Sequence, residues 1–172
     1  SLIWKETFAT AMVLYSPGRT TSYPDEPVKE GLRLHFLGGG DEVGNVGCVL
    51  EDKTGTRLLI DYGLAPTRPP KYPSECPPID HAIITHSHID HIGMAPWLVG
   101  QHGTVLHGTE LTAAVSEMMW RDTYKVSKIE GYPLAWDMRD LDVALDAWHT
   151  HNFGEWFDIG EWRLRFHRAG HI

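Results

Sequence analysis

The segment Thr85-His86-Ser87-His88-Ile89-Asp90-His91 packs four potential metal ligands into six residues. Imidazole nitrogens and carboxylate oxygens are natural donors to zinc and similar borderline metals. Four such groups this close do not fit comfortably around one tetrahedral ion; they suit two. His86 and His88 stand two apart, so an extended segment points both the same way. Asp90 and His91 then turn toward a neighbouring site. Two ions about 3.5–4 Å apart can share a hydroxide and clamp an in-line displacement at phosphorus or carbon. Zinc brings its bound water to a pKa near ~7, so a nucleophile exists at neutral pH. The plain alternative is a histidine-rich surface loop. The order of the ligands, directly after an apolar strand, speaks against it.

The elements that must hold this segment follow from periodicity. Leu32, Leu34 and Phe36 alternate with Arg33, His35 and Leu37, which predicts a strand. Gly38, Gly39, Gly40 and Gly44 predict a tight turn, whose backbone amides could alternatively cradle a phosphate. Val46 to Glu51 predicts a second strand, Asp52 to Gly55 a hairpin turn, and Leu58 to Ile60 a buried strand ending at Asp61. A proline-rich loop follows. Ala82 to Ile84 is a fourth strand ending at Thr85, Ile92 to Val99 a short helix, and Val105-Leu106 a fifth strand. Two amphipathic helices come next. One opens near Thr109, with Leu111, Ala114, Val115, Met118 and Met119 as its core stripe. The other opens near Asp137, with Leu141, Ala144, Leu145 and Trp148 on one face. Trp156 to Ile159 and Trp162 to Phe166 close the chain as a hairpin around Gly160. Strands, then alternating strand and helix, then strands predict an α/β (α+β) fold with a mixed sheet and helices on a face.

Composition narrows the function. The chain has 172 residues, 22% charged and 42% hydrophobic, which is a globular mix for one domain. Apolar runs reach only about five residues, so no membrane-spanning helix and no membrane association is expected. Net charge is −8, so no global basic field attracts nucleic acid and any polyanion binding must be local or metal-borne. Two cysteines, Cys48 and Cys76, exclude a disulfide scaffold and a cysteine-only zinc site, and fit a reducing, cytoplasmic compartment. Residues 1–31, with Pro17, Gly18, Pro24 and Pro27, read as an N-terminal arm or linker, in which Ser1 to Tyr15 could form a short helix or strand. The start at Ser1 and the stop after Arg168-Ala169-Gly170-His171-Ile172 predict a fragment of a longer protein.

His86-Ser87-His88-Ile89-Asp90-His91 resembles the HxHxDH signature of the metallo-β-lactamase fold. Leu59-Ile60-Asp61-Tyr62-Gly63 looks like the first motif of that superfamily, and Ala169-Gly170-His171-Ile172 like its third, in the Ala-Gly-His form of the β-CASP branch. Leu37-Gly38-Gly39-Gly40-Asp41-Glu42-Val43-Gly44 resembles the opening loop of that branch. The likeness is to archaeal-type relatives of the cleavage and polyadenylation specificity factor endonuclease, which process RNA, and it covers Leu32 to Ile172.

The resemblance implies the first half of an αββα sandwich, residues 32–172 being the N-terminal part of a metallo-β-lactamase domain. It implies that His86, His88 and His171 bind one zinc ion and that Asp90 and His91 bind a second. Asp61, a candidate catalytic residue together with Asp90, would orient ligands by hydrogen bonding. The family's later bridging Asp, its final His and the β-CASP insert do not occur in this sequence, so the chain alone is expected to be inactive. Its expected partners are an RNA substrate, the remainder of the domain and the insert, with a homo-oligomer an open alternative. Other hydrolases share the signature: tRNA 3′-processing enzymes, DNA-repair nucleases, and thioester or lactone hydrolases. An inactive metal-binding subunit is a third class, against which the intact ligand run argues. Outside the motifs, His35, His102, His107, His149, His151 and His167 show no partner spacing, and His81 is expected only to cap its strand. Arg163, Arg165 and Arg168 alternate near the end, as a solvated strand face or a phosphate contact.

Overall fold

The computed structural model describes residues 23, 24 and 26–171. The expectations for Ser1 to Tyr15 and for most of the arm lie outside these residues, as does Ile172. Six strands form one sheet in the order β1 (Leu32–Gly38), β2 (Gly47–Asp52), β3 (Arg57–Tyr62), β4 (His81–Ile83), β5 (Val105–Gly108) and β6 (Trp148–Thr150). The first three run antiparallel as a meander, and β3 through β6 are parallel. Parallel neighbours need crossovers: the proline-rich loop supplies the one from β3 to β4, and the other two are supplied by helices. These are α1 (Ile89–Ile92), α2 (Ala95–His102), α3 (Glu110–Glu130) and α4 (Met138–Leu145). A separate hairpin, β7 (Trp156–Ile159) with β8 (Trp162–Arg165), begins a second layer.

Alternation along the strands gives the sheet two apolar faces. Val49, Leu59, Ala82 and Leu106 point to the helices and pack with Leu98, Trp120 and Leu141. Leu58 and Ile83 point the other way and meet Ile159, with Phe157, Trp162, Leu164 and Phe166 from the hairpin. The architecture is helix layer, sheet, then the first hairpin of a second sheet, which is half of an αββα sandwich.

Three expectations about the helices need correction. The helix expected over Ile92 to Val99 is two helices, because Met94 turns its N–H to the Tyr62 carbonyl and Pro96 sits at the start of α2, where it has no N–H to lose. Asp90 and His91 lie in the short α1. The second amphipathic helix stops at Leu145. Leu106 N–H takes the Ala147 carbonyl, which draws Trp148 into the sheet as β6. The third correction concerns α3. Thr109 caps it as expected, accepting from the Thr112 N–H, but the buried face is Thr112, Ser116, Trp120 and Ser127. Leu111 and Met118 are 72% and 62% exposed, and Ala114 is exposed too. The buried hydroxyls of Ser116 and Ser127 donate to backbone carbonyls one turn back, so small polar residues fill a face that Trp120 anchors through its indole N–H to the Ile92 carbonyl. Cys48 is half-buried, Cys76 is buried, and both cysteines are free.

Candidate metal centre

The ligand run leaves β4 at its C-terminal end, the edge where parallel strands present their loops. Three contacts position it from β3 and β2. Gly63 N–H donates to the Val46 carbonyl, Val46 N–H donates to the Asp90 carbonyl, and Leu64 N–H donates to the Ile89 carbonyl. Gly63 must be glycine: a Cβ there would lie 1.8 Å from the Asp90 oxygen. Gly39 and Gly44, with φ of +73° and +101°, bend the preceding loop as a tight turn.

Asp61 sits at the hub. It is 2% exposed and takes the left-handed backbone conformation, with φ of +57°. One carboxylate oxygen accepts the Thr85 N–H at 2.8 Å. The other accepts the Thr85 hydroxyl at 2.7 Å and lies 2.7 Å from His91 Nδ1. That leaves His91 Nε2 pointing outward, 3.7 Å from an Asp90 carboxylate oxygen. Thr85 Oγ1 also lies 3.0 Å from His86 Nδ1, so the outward nitrogen of His86 is Nε2. The Thr85 hydroxyl thus links Asp61 to His86. The sequence shows Thr85 beside the histidines but gives no sign of this role; a hydroxyl next to a ligand is the only signal available.

His86 Nε2 lies 3.0 Å from His88 Nδ1, and His171 Nε2 lies 3.3 Å from the same atom. These three donor atoms all fall within 4.8 Å of one another, which could hold one metal ion. His88 and His171 are exposed and His86 is half-buried, so the cluster opens to solvent. The donor set fits zinc: three imidazole nitrogens, with the His86 ring fixed in orientation by Thr85. Burial, then the neighbouring imidazoles His91, His88 and His171, hold His86 below its ordinary pKa, toward the neutral form that a metal requires. Burial also pulls His91 down, but the hydrogen bond and charge of Asp61, with the charge of Asp90, outweigh it and raise that imidazole. Asp90 and His91 form a second pair of donors beside the triad. Among the described residues no third donor completes that pair within the same reach.

The structure also gathers histidines that the sequence left scattered. His81 belongs to β4 and does not merely cap it. Its Nδ1 lies 3.0 Å from His107 Nε2, and His107 Nδ1 lies 3.0 Å from His151 Nε2. These three imidazoles form a chain across the face under the hairpin, where Phe157 stacks on His151 at 3.6 Å. Register pairs His107 with His149 across β5 and β6 and sets His81 diagonally from His107, two places from that residue's partner Ile83, which the sequence does not reveal.

Residues 39–168 match the metallo-β-lactamase superfamily profile. The chain belongs to the metallo-β-lactamase superfamily. It is 28% identical over 144 residues to "RNase aCSPSF2" of Saccharolobus solfataricus, covering 81% of this chain and 28% of that protein. It is 30% identical over 159 residues to "Cleavage and polyadenylation specificity factor 73" of Drosophila melanogaster, covering 87% of this chain and 23% of that protein. Among solved structures, a metallo-β-lactamase superfamily protein from Sulfolobus tokodaii superposes with a TM-score of 0.44 at 19% identity, covering 79% of this chain and 54% of that one. The chain spans about a quarter of the length of the two curated relatives. These relatives are of the β-CASP type that the glycine-rich opening and Ala169-Gly170-His171 resemble. No helix among the described residues is long and apolar enough to cross a membrane.

Proposed function

We propose that residues 32–172 are the N-terminal part of a metallo-β-lactamase domain in a zinc-dependent phosphodiester hydrolase that processes RNA, with residues 1–31 as an arm or linker. The relatives named for RNA cleavage support the substrate class, and the two free cysteines support a reducing compartment such as the cytoplasm. The observation that carries the reading is the convergence of His86 Nε2, His88 Nδ1 and His171 Nε2 beside the Asp90–His91 pair. In this reading the triad holds one zinc ion, and Asp90 and His91 contribute to a second whose remaining ligands come from the rest of the longer protein. Zinc bound there would supply Lewis acidity and an acidified water for attack at phosphorus.

The chain's own groups do the positioning. Asp61 holds His91 by its Nδ1 and holds Thr85 by its hydroxyl. Thr85 in turn fixes the His86 ring, so two imidazoles keep their Nε2 atoms aimed at the solvent-facing opening. Asp90 is braced through its backbone by Val46, which leaves its carboxylate free to meet the donor set. The exposure of His88 and His171 leaves the opening accessible to a phosphodiester.

The test is zinc content after dialysis, wild type against His88→Ala, together with cleavage of a labelled single-stranded RNA by the full-length protein. One tightly held zinc per chain, lost in the variant, is expected, along with zinc-dependent cleavage. A chain that retains no zinc overturns the metal assignment. A zinc-loaded full-length protein that leaves RNA intact overturns the substrate class.

A further inference from the structure

The hairpin is held to the sheet at two places that differ in chemistry. At its turn end, Gly160 lies against the β2–β3 turn, where a Cβ would meet the Thr56 side chain at 3.3 Å. Ile159 is buried there with Leu58 and Ile83, and Trp162 packs beside them. That end is closed by apolar contact. At its open end the hairpin rests on imidazoles. Phe157 stacks on His151 with ring centres 3.6 Å apart and lies parallel to His107 at 5.7 Å. Phe166 stands 6.1 Å from His151 and 5.6 Å from Phe157. Gly154 N–H donates to the Phe166 carbonyl and ties the two arms together. Beneath these rings His81, His107 and His151 run in a chain through two 3.0 Å contacts, and His149 lies 5.6 Å from His107. All of this faces inward, between the two layers, so it does not depend on what covers the other face of the hairpin.

Positive charge is costly in that place. His107 is 4% exposed. The groups that face it are the imidazoles of His81 from β4, His149 from β6 and His151 beyond it, with the Phe157 ring from β7, and none of them supplies a negative charge. Glu155 is the carboxylate that acts on His151, and it is already bonded to Asn152. Burial, then the imidazoles, bring His107 down to about 4, and burial lowers His151 despite Glu155. A histidine held below its ordinary value binds protons better once released, so falling pH favours the open arrangement. The penalty falls on the open end of the hairpin and spares the turn end. The open end is the one that continues to His171, five residues past Phe166, whose Nε2 lies 3.3 Å from His88 Nδ1.

We propose that His81, His107 and His151 form an acid-sensitive latch: proton uptake by the imidazole chain lifts the open end of the hairpin from the sheet and withdraws His171 from the triad. The latch itself needs no metal; its effect on ion retention rests on the metal reading above.

The test is amide hydrogen exchange of the full-length protein at pH 7 and pH 5 in EDTA, corrected for the intrinsic exchange rate at each pH. Opening at Phe157 and at Leu164 to Phe166 is expected to rise about 20-fold from pH 7 to pH 5, the factor for one group moved from about 6.5 to about 4. Ile159 and Trp162, at the turn end, should hold nearly constant. His107→Gln keeps a polar group and removes the titration, so it should keep protection at pH 7 and lose most of the rise. His151→Gln, at a half-buried position, should lose part of the rise and guards against misfolding of the first variant. A rise that persists in both variants, or that is equal at the two ends of the hairpin, overturns the latch. Zinc added at pH 6 should then restore protection of the open end in wild type and not in His171→Ala. Zinc that is held without added protection overturns the link from the latch to His171. If no zinc is held at all, the metal reading and the effect on ion retention fail together, while the comparison in EDTA still decides the latch.

Discussion

Gly63 lies so close to Asp90 that a Cβ on the glycine would fall 1.8 Å from the Asp90 carbonyl oxygen. The end of β3 and the start of α1 are thereby pressed together without a side chain between them. This contact sets the distance from the hub at Asp61 to the histidines that it meets directly or through Thr85.

Gly63→Ala should therefore displace the metal loop as well as destabilise the fold, by about 3 kcal/mol, at the upper end of overpacking effects. Gly131→Ala is the control. Nothing lies within 4 Å of a Cβ there, but φ is +73°, so about 1 kcal/mol of backbone strain is expected. Urea denaturation of both variants, with zinc affinity measured alongside, checks the difference. Only the Gly63 variant should lose affinity.

Asp61→Asn tests the hub cleanly. Asparagine tolerates the left-handed conformation that Asp61 adopts, so the backbone is not further strained. The amide keeps one acceptor oxygen but loses the charge and the second acceptor, so the Thr85 N–H, the Thr85 hydroxyl and His91 Nδ1 can no longer all be held. Loss of such an outer partner lowers metal affinity 10–100-fold. Competition with a chromophoric chelator measures it. An unchanged affinity would show that the Asp61–His91 contact is not an orienting one.

The histidine chain makes stability depend on pH. Burial, then the imidazoles of His81, His151 and His149, lower His107 to about 4. Its unfolded pKa is near 6.5. Between these values the unfolded chain binds the proton and the folded chain does not, so stability rises with pH across this window. Acidifying from pH 6.5 toward 4 should cost on the order of 2 kcal/mol from this residue, with little change above pH 7. His107→Leu should flatten that part of the profile, measured as Tm against pH in a chelating buffer that keeps zinc out of the comparison.

Substitutions along α3 should invert what the sequence pattern suggests. Leu111→Lys and Met118→Glu touch exposed positions and should change stability by no more than about 0.5 kcal/mol. Trp120→Ala empties a fully buried site and removes the bond to the Ile92 carbonyl, so a loss of about 3–5 kcal/mol is expected. Thermal melts of the three variants decide between the two faces.

That inversion shows where sequence patterning stops. The strands β1 to β5, the closing hairpin and the Thr109 and Asp137 caps were readable because alternation and capping are local properties. The buried face of α3 was not, because Thr112 and Ser116 bury hydroxyls that bond within their own helix, and periodicity counts them as polar. β6 was missed because Trp148 continues the apolar spacing of α4, and only pairing with β5 makes it a strand. The grouping of His86 with His88 was legible because the two stand two apart in one segment. Thr85 as a brace and the His81–His107–His151 chain were not, since each joins residues brought together by strand register.

The triad joins two histidines two residues apart to a third that lies 83 residues from His88. In an unfolded chain, closing a loop of that length opposes the third bond by about 4 kcal/mol of chain entropy. The folded sheet and docked hairpin have already brought His171 into place, so that opposition is absent. A denatured chain can therefore offer an ion two neighbouring nitrogens, but only the assembled fold offers three together. Tight retention of the ion would then report that the last hairpin has docked, making the metal a marker of completed tertiary structure.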